Sequence, residues 1–270
     1  MDHDLLTFTV DLAKRAGALA ADRFFAGDVA STRKPDGTEV TATDVAVEEL
    51  IRTELAAHAP DDAIHGEESG ATEGTSGNRW VIDPIDGTYY FTHRIPLFAT
   101  MLAYEDEHGP AIGVIHEPIA RKTIFAGRGL GCHVSFGDEV TEARVGNRSH
   151  LTGARTAMGN PGTWSEELLA ALHRHTLLDT AGDVTRLVTG HLDAMVVAGF
   201  PMGYEDLAPL PVIVGEAGGR VTDLTGAPLL TGNGTVLATN GVLHDEYLTL
   251  VRELPHGRDH RKLIDADHQA

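Results

Sequence analysis

Apolar residues recur at helical spacing from the start of the chain. Leu5, Leu6, Leu12, Ala13, Ala16, Leu19 and Ala20 fall on one face of a 3.6-residue repeat, which predicts an amphipathic helix over residues 4–26. "RKPDGTEV" (33–40) reads as a turn, because Pro35 presets one backbone angle and Gly37 tolerates a positive one. A second helix follows, with Val45, Val47, Leu50, Ile51 and Leu55 as its stripe and Thr43 or Asp44 near its N-terminus. "PDDAIHGEESGATEGTSGN" (60–78) holds a short strand and a loop rich in Gly, Ser and Thr. After Asp83 the period changes. "LFATMLAYEDEHGPAIGVIHEP" (97–118) is two apolar runs around a Gly-Pro turn, hence a hairpin, and "RKTIFAGRGLGCHVSF" (121–136) is a second strand pair. The first half therefore reads as α+β: two helices, then an antiparallel sheet.

The second half alternates between periods. "SEELLAALHRHTLL" (165–178) is helical, "TRLVTG" (185–190) a short helix and "LDAMVVAG" (192–199) a strand. "EDLAPLPVIVGEAGG" (205–219) reads as one helix ending in glycines. "RVTDLTG" (220–226) and "TVLATN" (235–240) are strands, and "VLHDEYLTLVREL" (242–254) is a last helix. The pattern predicts an α+β unit over 1–140 and an α/β unit over 141–255, with the boundary between 137 and 150. Residues 256–270, charged and aperiodic, read as a disordered tail.

Composition narrows the partners. The chain has 270 residues and no apolar run near the ~20 residues of a membrane span, so no membrane partner is expected. Acids precede the first apolar positions, which argues against a signal peptide. A single cysteine, Cys132, leaves no intramolecular disulfide and reads as a packed side chain in a cytoplasmic protein. A formal net charge of −19 disfavours nucleic acid, whose phosphates call for basic patches. It still permits a phosphate ester if cations mediate the contact. The fifteen histidines read as surface residues, and no Ser/His/Asp array is visible.

The chemistry concentrates in carboxylates. In "RWVIDPIDGTYYF" (79–91) an apolar run meets two aspartates three residues apart, with a Pro between them and Gly-Thr just after. Hard divalent cations take oxygen ligands, and Asp83, the carbonyl of Ile85 and Asp86 would form a bay for two ions. Pro84 stiffens that turn, and Gly87 lets the backbone approach a phosphate closely. Glu67 and Glu68 in "GEES", Asp206 in "YEDLAPL" and Asp44 in "TATD" are the other acidic features.

"GEES", "WVIDPIDGTYYF" and "DLAPLPVIVGEAGG", in that order, resemble the inositol monophosphatase superfamily of lithium-sensitive, Mg²⁺-dependent phosphatases. "KPDGTEVTATDVAVEELIR" resembles its N-terminal segment, and the likeness runs from about residue 5 to 253. The resemblance implies a five-layer αβαβα sandwich, a homodimer and hydrolysis of a small phosphate ester by metal-activated water. It implies two or three Mg²⁺ ions, with Mn²⁺ as a substitute and Li⁺ as an inhibitor. By the same resemblance Glu67, Asp83, the Ile85 carbonyl, Asp86 and Asp206 are metal ligands, and Gly87 and Thr88 cradle phosphate. Asp44, Thr88 and Glu67 are the catalytic residues, with Thr88 and Asp44 orienting the water. Glu68 supports the metal site, and Lys34 lies in a loop that closes over it. Tyr90 stands where the family often has Asn, and Glu205 where it often has Trp.

For the substrate, Gly182-Asp183 and the run from Asp206 through "LATNGVLHDEYL" resemble the histidinol-phosphate phosphatase branch. Residues 198–200 carry no acid where the inositol branch has one, although Val184 and Thr185 replace the aromatics that often follow Gly-Asp. L-histidinol phosphate is the expected substrate, with Asp183 and Glu205 available to hold its charged groups. Inositol 1-phosphate or another cyclitol or sugar phosphate is the alternative. A bisphosphate is disfavoured, because no basic cluster is present for a second phosphate. A catalytically silent relative is disfavoured because the carboxylate set is intact.

Overall fold

The computed structural model describes residues 2–34, 39–159, 161–179 and 184–258. The chain divides into two units. One comprises Met1–Ala143 with Tyr204–Glu216, the other Arg144–Gly203 with the chain from Ala217 onward.

In the first unit α1 (His3–Ala26) starts on the Asp2 side chain and stops at Gly27, whose φ of 83° is the left-handed conformation that glycine adopts without steric cost. β1 (Ser31–Arg33) and β2 (Glu39–Thr41) form a small antiparallel pair. α2 (Ala42–His58) follows, capped by Thr41. β3 (Ala63–Gly66), β4 (Gly70–Thr72), β5 (Arg79–Asp86), the short helix α3 (Thr88–Thr92), β6 (Ala99–Asp106), β7 (Gly109–Glu117), β8 (Lys122–Gly127), β9 (Gly131–Phe136) and β10 (Glu139–Ala143) complete this stretch. Eight strands form one sheet in the order β10-β9-β8-β7-β6-β5-β3-β4. The sheet is mixed rather than antiparallel, because β3 runs parallel to β5. The crossover between them is residues 67–78, which include β4, and it brings the ends of β3 and β5 to one edge.

The second unit contains β11 (Ala154–Gly159), α4 (Glu166–His175), β12 (Thr176–Asp179), α5 (Val184–Val188) and β13 (Ala194–Val197). The chain then supplies α6 (Tyr204–Leu207) and α7 (Leu210–Glu216) to the first unit. β14 (Arg220–Thr222), β15 (Val236–Thr239) and α8 (His244–Val251) finish the second unit, whose five-stranded sheet has the order β12-β11-β13-β15-β14. Its core gathers Trp164, Leu168, Leu172, Val196, Leu237 and Tyr247.

The eight-stranded sheet buries both faces. Leu12, Ala16, Val47 and Ile51 of α1 and α2 share a core with Trp80, Ile82, Leu102, Ile112 and Val114. Residues of the opposite parity meet α6 and α7. Val81 and Ala103 pack on Ala208, and a Cβ on Gly113 would come within 2.5 Å of the Pro209 carbonyl.

Several expectations from the residue pattern need correction. Residues 204–216 belong to the first unit although in sequence they fall between the two segments of the second. They form two helices rather than one, because Pro209 and Pro211 each lack an N–H and Pro209 interrupts the hydrogen-bond ladder. "TLL" (176–178) leaves the helix, and Thr176–Asp179 pairs with β11, a strand that the pattern did not reveal. His116 and His244 are buried, each on threonine hydroxyls: His116 Nδ1 lies 2.9 Å from Thr123 Oγ1, and His244 contacts Thr222 and Thr239 at 3.0 Å. The predicted tail begins too early, since Gly257 bridges to Trp164 and Arg258 Nε donates to the Trp164 carbonyl at 2.8 Å. Residues 259–270 lie outside the described residues. Cys132 is buried, and burial pushes its thiol pKa up to about 12. No helix among the described residues is long and apolar enough to cross a membrane.

Candidate metal and phosphate site

In a regular strand residues three apart point to opposite faces, so Asp83 and Asp86 should diverge. They do not, because β5 is bulged between them: Asp83 pairs with Met101 and Asp86 with Ala99, three steps on β5 against two on β6. Pro84 has no N–H for the ladder, and its carbonyl accepts from Thr100 Oγ1 at 3.0 Å. The kink turns Asp86 back toward Asp83, and α6 brings Asp206 to both. One carboxylate oxygen from each lies within 4.8 Å of the others.

Such a trio repels itself. Two ionised carboxylates at that distance cost about 3 kcal/mol at an effective dielectric constant of 20. Burial, then Asp86 and Asp206, hold the Asp83 pKa well above the usual carboxylate range. Burial, followed by Asp206 and Glu67, raises Asp86 to about 7. Asp83 Oδ1 is a buried oxygen without a hydrogen-bond partner. Buried polar atoms are rarely left so, and a cation bound by oxygen ligands would satisfy it. The donor set is all oxygen, which fits a hard divalent ion such as Mg²⁺ rather than a thiophilic metal.

Glu67 emerges at the same sheet edge, since Gly66 pairs with Ile82 and the Glu67 N–H donates to the Ile82 carbonyl at 3.2 Å. It stands outside the close trio. Lys34 Nζ donates to Glu67 Oε1 and Glu68 Oε1, both at 2.8 Å. Burial opposes the charge on Lys34, but the hydrogen bonds to both glutamates outweigh it and raise its pKa. Burial lifts Glu68 to about 7 and raises Glu67, against the pull of Lys34. The turn itself hangs on Glu48, a fully buried residue that accepts from the N–H groups of Glu68 (2.8 Å) and Ser69 (3.0 Å) and from Arg52 Nε (2.7 Å).

Asp44 is fully buried at the start of α2. It closes a capping box in which the Thr41 N–H donates to Asp44 Oδ2 at 2.9 Å and the Asp44 N–H donates to Thr41 Oγ1. Burial raises its pKa, partly offset by Thr41 and Thr88. Thr88 Oγ1 lies 3.1 Å from both Asp44 Oδ1 and the Ile85 carbonyl. Between Ile85 and Thr88, Gly87 takes φ 88°, and a Cβ there would press on the Leu97 carbonyl at 3.0 Å.

The cavity at this edge has a volume of about 530 Å³ and is lined by Glu67, Asp83, Asp86, Gly87, Thr88 and Asp206, among others. Arg33, Glu39, Tyr89 and His93 also line it, and the sequence reading named none of them. Tyr89 and His93 stack at 4.2 Å, and Thr92 Oγ1 donates to Glu39 at 2.8 Å. Glu48 was missed as well, although Asp44, Glu48 and Arg52 recur at four-residue spacing on one face of α2. Glu205 does not line the cavity: its carboxylate lies 3.7 Å from His65 Nε2. The half-exposed Tyr90 is also absent from that lining. Asp183 and Gly182 lie outside the described residues.

This carboxylate edge invites comparison with known phosphatases. Residues 1–256 match the inositol monophosphatase family. A histidinol-phosphatase of Mycobacterium tuberculosis is 34% identical over 256 residues, covering 92% of this chain and 98% of its own. An inositol-1-monophosphatase of Mesorhizobium japonicum is 32% identical over 266 residues, covering 92% and 96%. Among solved structures, an inositol monophosphatase of Thermotoga maritima superposes with a TM-score of 0.79 at 28% identity, over 93% of this chain and 97% of that one. With the match spanning both units and the acidic edge within it, the chain belongs to the inositol monophosphatase family and is a phosphatase.

Proposed function

We propose that the protein is a Mg²⁺-dependent phosphomonoesterase whose substrate is L-histidinol phosphate. The observation that carries the chemistry is the close trio Asp83, Asp86 and Asp206, with the buried, unpartnered Oδ1 of Asp83, beside the Thr88–Asp44 contact. Asp83, the Ile85 carbonyl, Asp86, Asp206 and Glu67 would hold two or three Mg²⁺ ions, with Mn²⁺ able to replace them and Li⁺ inhibitory. Bound Mg²⁺ supplies positive charge that neutralises the phosphoryl oxygens and eases formation of the nucleophile.

The protein's own groups supply position. Thr88 Oγ1 has one proton, and Asp44 Oδ1 is its charged acceptor. The hydroxyl lone pairs then face outward to take a hydrogen bond from the attacking water. Asp44, held by Thr41, is the terminal proton acceptor at Oδ1. The water oxygen bonds to phosphorus as the ester P–O bond breaks, and the leaving alkoxide takes a proton from solvent water, giving inorganic phosphate and the alcohol, after which Asp44 returns its proton to solvent. Gly87 and Thr88 let the backbone approach the phosphate.

Three observations support histidinol phosphate. The M. tuberculosis relative carries that activity in its name. Residues 198–200 offer no acid for cyclitol hydroxyls. The Tyr89–His93 stack and Glu39 line the cavity, offering a flat platform for an imidazole and a carboxylate for an ammonium. Asp183 remains the substrate-binding residue proposed from the sequence, whereas Glu205, beside His65, does not line the cavity that would hold the ester. The second reading is inositol 1-phosphate, favoured by the M. japonicum relative. Values of kcat/KM on both esters, with fructose 1,6-bisphosphate and a nucleoside bisphosphate alongside, decide between them. We expect histidinol phosphate to lead by tenfold or more, and an equal preference for inositol 1-phosphate overturns the choice.

A further inference from the structure

α6 is four residues long, too short to hold its own shape in water. Yet it carries Asp206, which has to be held beside Asp83 and Asp86, two carboxylates that repel it whenever they are ionised. What anchors the helix is Tyr204. Its hydroxyl donates to Glu105 Oε1 at 2.6 Å and accepts from Arg79 Nη2 at 2.7 Å. Arg79 Nε donates to Glu105 Oε2 at 2.8 Å, and its guanidinium sits 4.8 Å from the Tyr204 ring centre. Arg79 and Glu105 are register partners on β5 and β6, so the three side chains close on one another. His65, on β3, meets the same ring edge-on at 5.9 Å.

Residues two apart on a helix are separated by about 200° around its axis. Tyr204 and Asp206 therefore leave α6 on nearly opposite sides. Pinning Tyr204 to β5 and β6 fixes the rotation of α6, and the rotation aims Asp206 at Asp83 and Asp86. Ala208, on Val81 and Ala103, sets the height of the helix above the sheet but not its rotation. We propose that Tyr204, clamped by Arg79 and Glu105, is a positioning residue that presents Asp206 to the cation. This rests on the Mg²⁺ reading of the carboxylate trio.

The test is a Mg²⁺ titration of the melting temperature of the full chain, with Mg²⁺ binding by calorimetry as a second readout. Tyr204→Phe keeps the ring and removes both hydroxyl contacts. We expect the Mg²⁺ concentration for half of the full melting shift to rise at least fivefold. The KM for the phosphate ester at saturating Mg²⁺ should stay unchanged. Glu105→Gln should shift the half-point in the same direction. The double variant should be no worse than the larger single, since the two act as one unit. Tyr247→Phe is the control for a merely structural loss: Tyr247 is fully buried, and its hydroxyl meets Thr156 Oγ1 at 2.6 Å in the other sheet. It should lower the melting temperature without moving the half-point. A wild-type half-point in Tyr204→Phe, or an equal shift in Tyr247→Phe, overturns the clamp while leaving the Mg²⁺ reading intact. A wild-type protein that does not respond to Mg²⁺ at all overturns both.

Discussion

Two buried aspartates, one in each sheet's unit, are treated in opposite ways. Asp223 lies at the end of β14 and is almost fully buried. Its carboxylate accepts from the Thr225 N–H and hydroxyl, the Ala227 N–H and the Asn233 N–H, all between 2.7 and 3.1 Å. Burial alone would raise its pKa, but those hydrogen bonds outweigh it and the pKa falls. Asp83 is as deeply buried, has one oxygen without a partner and two carboxylates as neighbours, and its pKa rises. The first is a structural aspartate that the fold satisfies by itself. The second is left for something outside the chain to satisfy. Burial of a carboxylate therefore says little about its role; whether its oxygens are already occupied says much more.

The comparison is open to breakage. Asp86→Asn should lower turnover on the order of 100-fold or more, since even outer contacts of a metal site cost tenfold to 100-fold. Removing a like charge from the trio should leave the Mg²⁺-free protein at least as stable as wild type. Phosphate release and urea unfolding measure the two arms, and near-normal turnover would falsify the ligand assignment. Asp223→Ala should do the reverse. It orphans several donors and should cost about 3 kcal/mol of stability, while the folded fraction keeps its turnover per molecule. A variant of normal stability would show that the second unit does not depend on that carboxylate.

Mg²⁺ should stabilise the wild-type protein by about 2.7 kcal/mol at one hundred times its dissociation constant, and Asp86→Asn far less at the same concentration. Calorimetric melts with and without the ion check this, and an equal shift in both proteins would break the link to the trio.

The smallest effect concerns His244. Burial, then the Arg220 charge, lower its pKa to about 4, although Asp245 opposes this. The unfolded chain binds a proton near 6.5 and the folded one does not until about pH 4, so the unfolded state holds more protons in that window. The contribution of His244 is therefore fully present above pH 6.5 and is lost as pH falls toward 4, at about 1 kcal/mol per pH unit near pH 6. His244→Gln should flatten that part of the stability profile, and an unchanged slope would mean that the histidine is not the group responsible.

Much of this was legible in the residues. The helical stripes of α1 and α2, the hairpins after Asp83 and the acidic motifs are local patterns, set by side-chain period and turn chemistry within a few residues. Glu67, Asp83, Asp86, Thr88 and Asp44 could be named as candidates from such patterns and from the family resemblance. The supporting residues were not legible, because their partners are remote in sequence. Glu48 reaches across 20 residues to the Glu68 N–H, and Tyr204 across 99 to Glu105. Glu205, adjacent to Asp206 in sequence, settles beside His65, because neighbours on a helix point about 100° apart.

The sequence by itself determined where carboxylates are dense and which segments prefer helix or strand. The tertiary structure decided which of those carboxylates share a site. Strand alternation sends Asp83 and Asp86 apart, and only the bulge opposite Ala99–Met101, made possible by Pro84, brings them together. Asp206 reaches them because the Tyr204–Glu216 segment packs on the first unit's sheet, 120 residues after Asp86. Register and long-range packing are properties of pairs of segments, and no local pattern in either segment encodes them.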